Sequence, residues 1–258
     1  MKPALSRVLA VAANAFRESV RERVLYNLVF FAILMTLCGL LLGQLSIRQD
    51  EKIIKDVGLA AMELFGHLIA IFIGIGLVSK EIEKKSLYPL LAKPLSREEL
   101  FAGKFAGLGF TLFVNVGAMA AGLFVTLLVT RGEADPALLK AVFGIYLSLL
   151  LVVAIAMLFS AVTSTALAAV CTVCLVLAGR FSDVVRNMKQ VAPGVPDRLV
   201  DFLYYALPNF RNFDLKDKVA YGEFVPWPVL GWITLYNAVY ITALLGTGLA
   251  CFRRKEFQ

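Results

Sequence analysis

The feature that most constrains this chain is a series of long runs without a charged residue. A helix that crosses a bilayer needs about 20 apolar residues, because the hydrocarbon core is about 30 Å thick. Residues 24–45, 105–130 and 229–252 carry no charge, and residues 57–79 carry only Glu63 and His67 as ionisable groups. A further run, residues 141–179, has 39 uncharged residues and is too long for one span. A polar stretch near its middle, from Ser160 to Thr165, predicts two antiparallel spans joined by a tight turn.

We therefore predict an all-α integral membrane protein with six transmembrane helices in a single domain, residues 1–258. The chain is 59% hydrophobic and only 17% charged, which is unlike a soluble domain. The predicted spans are residues 24–45, 57–79, 104–130, 141–160, 165–182 and 229–252. The other predicted segments are an N-terminal interfacial helix (1–23), a charged elbow (80–103) and an extracytoplasmic segment of short amphipathic helices (183–228).

The distribution of Lys and Arg predicts the orientation. Of 26 such residues, 14 fall in the N-terminal segment, the elbow and the C-terminal tail, which share one side in a six-span layout. Only five lie in the two short loops on the other side. Cytoplasmic loops carry the excess of positive charge, so both termini and the elbow are expected in the cytoplasm. This asymmetry accounts for the net charge of +7 without nucleic-acid binding. A charged helix before a 22-residue apolar run also argues against a cleavable signal peptide.

The first 23 residues predict an amphipathic helix. Apolar residues recur at helical spacing from Leu5 to Val20, while Arg7, Arg17 and Arg21 lie on the other side. The helix is too charged to span the membrane. We expect it to lie in the cytoplasmic interface with its basic side toward lipid headgroups. Packing on a soluble partner is the alternative.

The elbow between the second and third spans concentrates charge and carries ordering signals. Ser96-Arg97-Glu98-Glu99 has the spacing of a capping box, in which the Ser96 hydroxyl and the Glu99 carboxylate each bond the other residue's N–H. Pro94 ends any helix before it. We predict a short helix from about Ile82 to Ala92, a turn, and a new helix that enters the membrane near Gly103. The simpler interpretation is a solvated loop followed by a helix cap.

Few residues offer catalytic or ligand chemistry. No Gly-rich loop ends in Gly-Lys-Ser/Thr, and the single histidine excludes a His-based metal cluster. Glu63 and His67 share a helix face within a span, could hydrogen-bond, and are a functional hypothesis by default. The alternative is that they lie near the outer end of the span and face water or another helix. The cysteines lie in apolar runs and predict no disulfide framework, and packing is expected for Cys171 and Cys174.

Small and amide residues predict close contacts between helices. Gly103 and Gly107 form a small-xxx-small pair, which lets helices approach closely within or between subunits. Asn115 and Asn237 could hydrogen-bond between helices.

The elbow also resembles a known family. Glu81-x-Glu83-x-x-Ser86, Leu90-Leu91-Ala92-x-Pro94-Leu95-Ser96-Arg97 and Gly103-Lys104 look like the signature between the second and third spans of the ABC type-2 transporter permeases. Leu87-Tyr88-Pro89-Leu90-Leu91 resembles the subgroup associated with maturation of multicopper enzymes such as nitrous-oxide reductase. Leu207-Pro208-Asn209-Phe210 before the last span and the basic C-terminal tail also fit.

The resemblance implies a permease subunit of an ATP-driven exporter or flippase in a prokaryotic inner membrane. Such a chain is not an enzyme and binds no cofactor itself, since ATP and Mg belong to two copies of a partner ATPase. A second permease copy completes the pathway, and a periplasmic partner is a further expectation. The segment from Glu81 to Ala92 would be the coupling helix. The residues implied in ATPase coupling are Glu81, Glu83, Ser86, Leu90, Leu91, Pro94, Ser96 and Arg97.

Three alternatives remain open from the sequence. The first is an ion-coupled secondary transporter that uses Glu63 and His67, although paired broken helices and internal repeats are missing. The second is a transmitter of conformational work to periplasmic partners without cargo of its own. The third is an intramembrane enzyme, for which no catalytic set is evident. The transported substrate is not determined by the sequence.

Overall fold

The computed structural model describes most of the chain as a bundle of helices. The described residues are 4–21, 30–31, 50–84, 96–131, 135–182, 198, 207–220 and 222–254. Within these ranges no residue lies in a β-strand. The α-helices are α1 (Ala4–Arg21), α2 (Asp50–Lys84), α3 (Arg97–Arg131), α4 (Leu138–Val162), α5 (Thr165–Arg180), α6 (Lys216–Ala220) and α7 (Trp227–Arg254), with a 3₁₀ turn at Phe210–Phe213.

Four of these helices contain segments long and apolar enough to span a bilayer. These segments are Lys52–Gly76, Glu98–Val129, Leu138–Val162 and Trp227–Cys251. They overlap four of the six predicted spans, and the six-span layout stays a prediction. The predicted first span, 24–45, lies outside the described residues except for two helical residues, Phe30 and Phe31. The predicted fifth span is the 16-residue helix α5, which rises only about 24 Å.

The helix α4 lies at the centre of the bundle. It contacts α2, α3, α5 and α7, and residues 151–157 are buried on every side of the helix. A Cβ on Gly74 would lie 2.8 Å from that of Ala156, so glycine lets α2 and α4 approach closely. The Asn237 side chain donates to the Leu147 carbonyl oxygen at 3.0 Å and ties α7 to α4. The interhelical role predicted for Asn237 is therefore confirmed, whereas Asn115 donates to Thr111 of its own helix.

The polar break at residues 160–165 forms the predicted turn. α4 ends at Val162, Thr163 and Ser164 are extended, and α5 begins at Thr165. Gly144 near the start of α4 and Gly179 near the end of α5 both abut the segment 208–215. The two helices therefore run antiparallel, as the sequence predicted.

Residues 207–220, here called the far-end segment, pack into the bundle at the end opposite the elbow. Its buried side chains include Phe210, Phe213, Leu215 and Val219, none more than 5% exposed. A Cβ on Gly144 would lie 2.7 Å from the Phe213 carbonyl oxygen. The segment contains short helices, as predicted, but these apolar side chains point into the protein and not into lipid. Residues 183–197 and 199–206 of the predicted extracytoplasmic region lie outside the described residues.

The boundaries of the elbow differ from the prediction. The second span was expected to end at residue 79, with a separate helix from about Ile82, but α2 continues without a break from Asp50 to Lys84. No Gly or Pro interrupts residues 79–84, and Lys and Glu favour helix, so nothing stops α2 before Lys84. The rest of the predicted coupling helix, residues 85–92, lies outside the described residues.

Candidate functional site

The elbow end of the bundle, where α2 ends and α3 begins, is built on a local hydrogen-bonded cap. Ser96 Oγ accepts from the Glu99 backbone N–H at 3.2 Å, and Glu99 Oε2 accepts from the Ser96 N–H at 3.1 Å. This is the reciprocal capping box that the sequence predicted. It satisfies two backbone donors at the start of α3 and fixes where that helix begins.

A long-range ion pair joins α1 to this cap. Arg7 lies 2.9 Å from Glu99 Oε1, and the two side chains are 27% and 13% exposed. The Glu99 carboxylate therefore uses one oxygen to cap α3 and the other to bind α1. The amphipathic pattern predicts Arg7 on the polar side of α1 but does not identify this partner, since the two residues are far apart in the chain.

The small-residue pair on α3 is the surface on which α1 packs. A Cβ on Gly103 would lie 2.8 Å from the Val11 side chain, and one on Gly107 would lie 2.5 Å from the Ala12 carbonyl oxygen. The rings of Phe16 and Phe110 extend the contact, with centroids 4.9 Å apart. The predicted close approach at Gly103 and Gly107 is confirmed as a contact within the chain.

The residues predicted to couple to an ATPase fall into three groups. Glu81 and Glu83 lie in the last turns of α2, while Ser96 and Arg97 lie at the start of α3. Ser86, Leu90, Leu91 and Pro94 lie outside the described residues. The structure thus gives the backbone on both sides of the elbow, and the coupling role of these residues stays a prediction.

Glu63 is held in a polar cluster with two cations from other elements. Its carboxylate pairs with Arg180 at the end of α5 and with the Lys216 ammonium, which lies 2.9 Å from Glu63 Oε2. Lys216 also lies 3.7 Å from Asp214. We call Glu63, His67, Arg180, Asp214 and Lys216 the polar cluster. The Glu63 and Lys216 side chains are 11% and 18% exposed, so the bulk of this charge is shielded from solvent and the ions compensate one another.

His67 contacts the backbone of Glu63 and not its carboxylate. His67 Nδ1 lies 2.7 Å from the Glu63 carbonyl oxygen, one helical turn away. The other ring nitrogen, Nε2, is buried and has no hydrogen-bond partner among the described residues. The Phe210 ring of the far-end segment lies beside the imidazole, at a centroid distance of 6.2 Å. The predicted proximity of Glu63 and His67 is thus present, although the predicted side-chain pairing is replaced by this backbone contact.

Neither of the two cations that bind Glu63 is predicted from the sequence. Arg180 had a detectable signal, because it is the first charge after the long uncharged run and lies near the end of a predicted span. Lys216 had none, since it lies 153 residues from Glu63 along the chain. Only the docking of the far-end segment brings it to α2.

Two open pockets adjoin the far-end segment. One, of about 400 Å³, lies between α2 and α5 and is lined by polar-cluster residues and aliphatic side chains. The other, of about 850 Å³, lies between the far-end segment and α7, where Arg211, Asp217 and Trp232 contribute to its wall. Within the described residues, no group of three or more His, Cys, Asp or Glu side chains could hold a metal ion. Cys171 is half-buried and Cys174 exposed on α5.

The comparison with protein families gives a match over most of the chain. Residues 9–208 match the model of the family described as ABC-2 family transporter protein. No curated protein gave a significant match to this chain. The matched region runs from α1 through the elbow and α5 into the start of the far-end segment. With four apolar, membrane-length helices among its described residues, the chain is a multi-pass membrane protein that belongs to the ABC-2 family of transporter permeases.

Proposed function

We propose that this chain is the transmembrane permease subunit of an ATP-driven exporter or flippase. The observation that carries the proposal is the family match over residues 9–208, which includes the whole elbow. ATP hydrolysis is assigned to a separate ATPase subunit in two copies, which holds the ATP and Mg. This chain has no catalytic activity of its own in the proposal, and two permease copies form the pathway.

The construction of the elbow end supports a coupling role. A force applied at the elbow acts on α3 at a helix start that is fixed by the capping box. The same carboxylate holds Arg7, and Gly103 and Gly107 seat α1 closely on α3. In this proposal, a displacement of the elbow by the ATPase moves α1 and α3 together. Such a rigid-body shift is the form of motion that gating between permease subunits requires.

The remaining features of the proposal follow from the charge pattern and the resemblance. The excess of Lys and Arg on the elbow side favours both termini in the cytoplasm of a prokaryotic cell. The resemblance of residues 87–91 favours a role near metalloenzyme maturation, with a periplasmic partner. The ion pairs of Glu63 with Arg180 and Lys216 favour a structural role for this carboxylate over ion-coupled transport.

The proposal is tested by reversing one charge at the elbow. Glu83→Lys should release the ATPase or uncouple its hydrolysis, because the mixed charge of the elbow would no longer complement the partner. The measurement is co-purification of the ATPase from native membranes in mild detergent, followed by ATP hydrolysis in reconstituted vesicles. Glu223→Lys, an exposed charge reversal at the opposite end, is the matched control.

Two results would contradict the proposal. One is a wild-type chain that purifies without any nucleotide-binding protein, even after cross-linking. The other is a Glu83→Lys variant that binds and stimulates the ATPase as the wild type does. In either case the elbow is not the coupling surface.

A further inference from the structure

The crevice between α2 and α5 has a polar end and an apolar wall. Glu63, Arg180 and Lys216 line one end of its approximately 400 Å³. The rest is mostly aliphatic, and Leu64, Leu68 and Leu177 are 60%, 43% and 50% exposed. Leu64 and Leu68 lie in a segment long and apolar enough to span a bilayer, so this exposed aliphatic wall suits contact with lipid.

The polar end offers hydrogen-bonding capacity that the cluster does not use up. Glu63 takes one interaction from each cation, and Asp214 lies 3.7 Å from Lys216, whereas a guanidinium has five N–H donors and an ammonium has three. Further donors of Arg180 and Lys216 can therefore bind another anionic oxygen. Arg180 is 37% exposed, so a ligand can reach it from the side of the bundle.

His67 contributes an acceptor at the same place. Its Nδ1 lies against a carbonyl oxygen and must carry the hydrogen, so in the neutral ring Nε2 is an acceptor. Nε2 is buried without a partner among the described residues, and His67 is 9% exposed and lines the crevice. A buried acceptor of this kind is costly unless a donor reaches it. A headgroup hydroxyl or ammonium would supply that donor.

The height of Arg180 in the membrane suits a lipid headgroup. α5 starts directly after the turn at Thr163 and Ser164 and rises about 24 Å to Arg180. The hydrocarbon core is about 30 Å thick, so a helix that starts at one boundary brings Arg180 within reach of the other. A long arginine side chain extends its charge toward that boundary.

We propose that this crevice binds one phospholipid from the surrounding bilayer. The phosphodiester lies against Arg180 and Lys216, a headgroup donor faces His67 Nε2, and an acyl chain follows Leu64, Leu68 and Leu177. Arginine and lysine side chains bind phosphate oxygens through charge-assisted hydrogen bonds. The proposal does not rest on ATP-driven transport, since the binding is a property of the chain itself.

The test measures phospholipid retained by the purified full-length chain after exchange into a phosphate-free detergent. Native mass spectrometry and phosphorus analysis should find about one phospholipid per wild-type chain. Arg180→Gln should lower the retained amount on the order of tenfold, because charge-assisted hydrogen bonds to the phosphate are lost. Val173→Trp, which fills the apolar wall without changing any charge, should lower it similarly, while Arg180→Lys should retain the lipid.

Matched controls separate the crevice from the rest of the surface. Arg211→Gln removes an arginine outside the crevice at the same end, and Val239→Trp adds an indole to the exposed face of α7. Both should retain lipid as the wild type does. If Arg180→Gln fails to fold, the phospholipid retained by Val173→Trp is compared with that retained by Val239→Trp, and this comparison tests the proposal. The proposal is overturned if the wild type retains no phospholipid, or if either crevice variant folds and retains phospholipid as the wild type does.

Discussion

The two ends of the bundle stabilise charge in opposite ways. At the elbow end, Glu99 binds Ser96, three residues away, and its charge stays partly accessible to water. At the far end, Glu63 depends on Arg180 and Lys216, which come from distant parts of the chain. The elbow end is a local motif with one long-range addition, whereas the cations that compensate the Glu63 carboxylate both come from distant elements. This difference explains why a sequence motif predicts the capping box at the elbow end, whereas the sequence indicates only Glu63 and His67 of the polar cluster.

The same contrast appears in the role of glycine at the two ends. Gly103 and Gly107 repeat at helical spacing and seat a helix, α1, on a helix, α3. Gly144 and Gly179 lie on two different helices and admit irregular backbone at residues 208–215. Helix-on-helix packing leaves a periodic trace in the sequence, and packing of an irregular segment does not.

The largest predicted effect is at the polar cluster. Glu63→Gln leaves Arg180 and Lys216 close together in a poorly solvated site, and removal of one partner from such a group costs roughly 3 kcal/mol. We expect a clear fall in thermal stability of the detergent-solubilised protein, measured by fluorescence-detected size exclusion after heating. Glu223→Gln, at an exposed position of the same end, should leave stability unchanged. Equal stability of the two variants would mean that the cluster does not hold the far-end segment.

Glycine substitutions give an intermediate effect and compare the two ends directly. Gly179→Ala would place a Cβ against the Pro208 carbonyl oxygen, and Gly107→Ala would place one 2.5 Å from that of Ala12. Each should destabilise by about 1–3 kcal/mol, because backbone must shift to make room. Gly117→Ala, with no atom within 4 Å of the added Cβ, should instead stabilise by up to about 1 kcal/mol. Chemical denaturation of the three variants in one detergent checks the order, and a stabilised Gly179→Ala would contradict the docking of the far-end segment.

The smallest predicted effect is at the capping box. Ser96→Ala should cost about 1 kcal/mol through the lost cap, and Arg7→Gln should cost less than about 1 kcal/mol because the pair is partly exposed. A double-mutant cycle between Arg7 and Glu99 measures the coupling of α1 to α3. A coupling energy indistinguishable from zero would show that the glycine contact, and not the ion pair, holds α1.

The sequence by itself determined the helical class, four spans that the structure gives as helices, the turn at Thr163, the capping box at Ser96 and the close packing at Gly103 and Gly107. These follow from hydropathy, from turn chemistry and from contacts within a few residues, which are local properties. Hydropathy does not predict that α2 continues to Lys84, because the charge at residue 80 marks the end of the apolar span and not the end of the helix, and helix formation tolerates Lys and Glu.

Only the tertiary structure decided what meets Glu63, His67 and Arg7. The packing of the far-end segment against α2, α4 and α5 brings Lys216 and Phe210 to α2, and no local pattern encodes a contact across 153 residues. The physical reason is that a buried carboxylate in a membrane bundle must be compensated by a cation, and any cation that packing brings near can do this. Sequence shows that a partner is needed, and packing alone determines which residue supplies it.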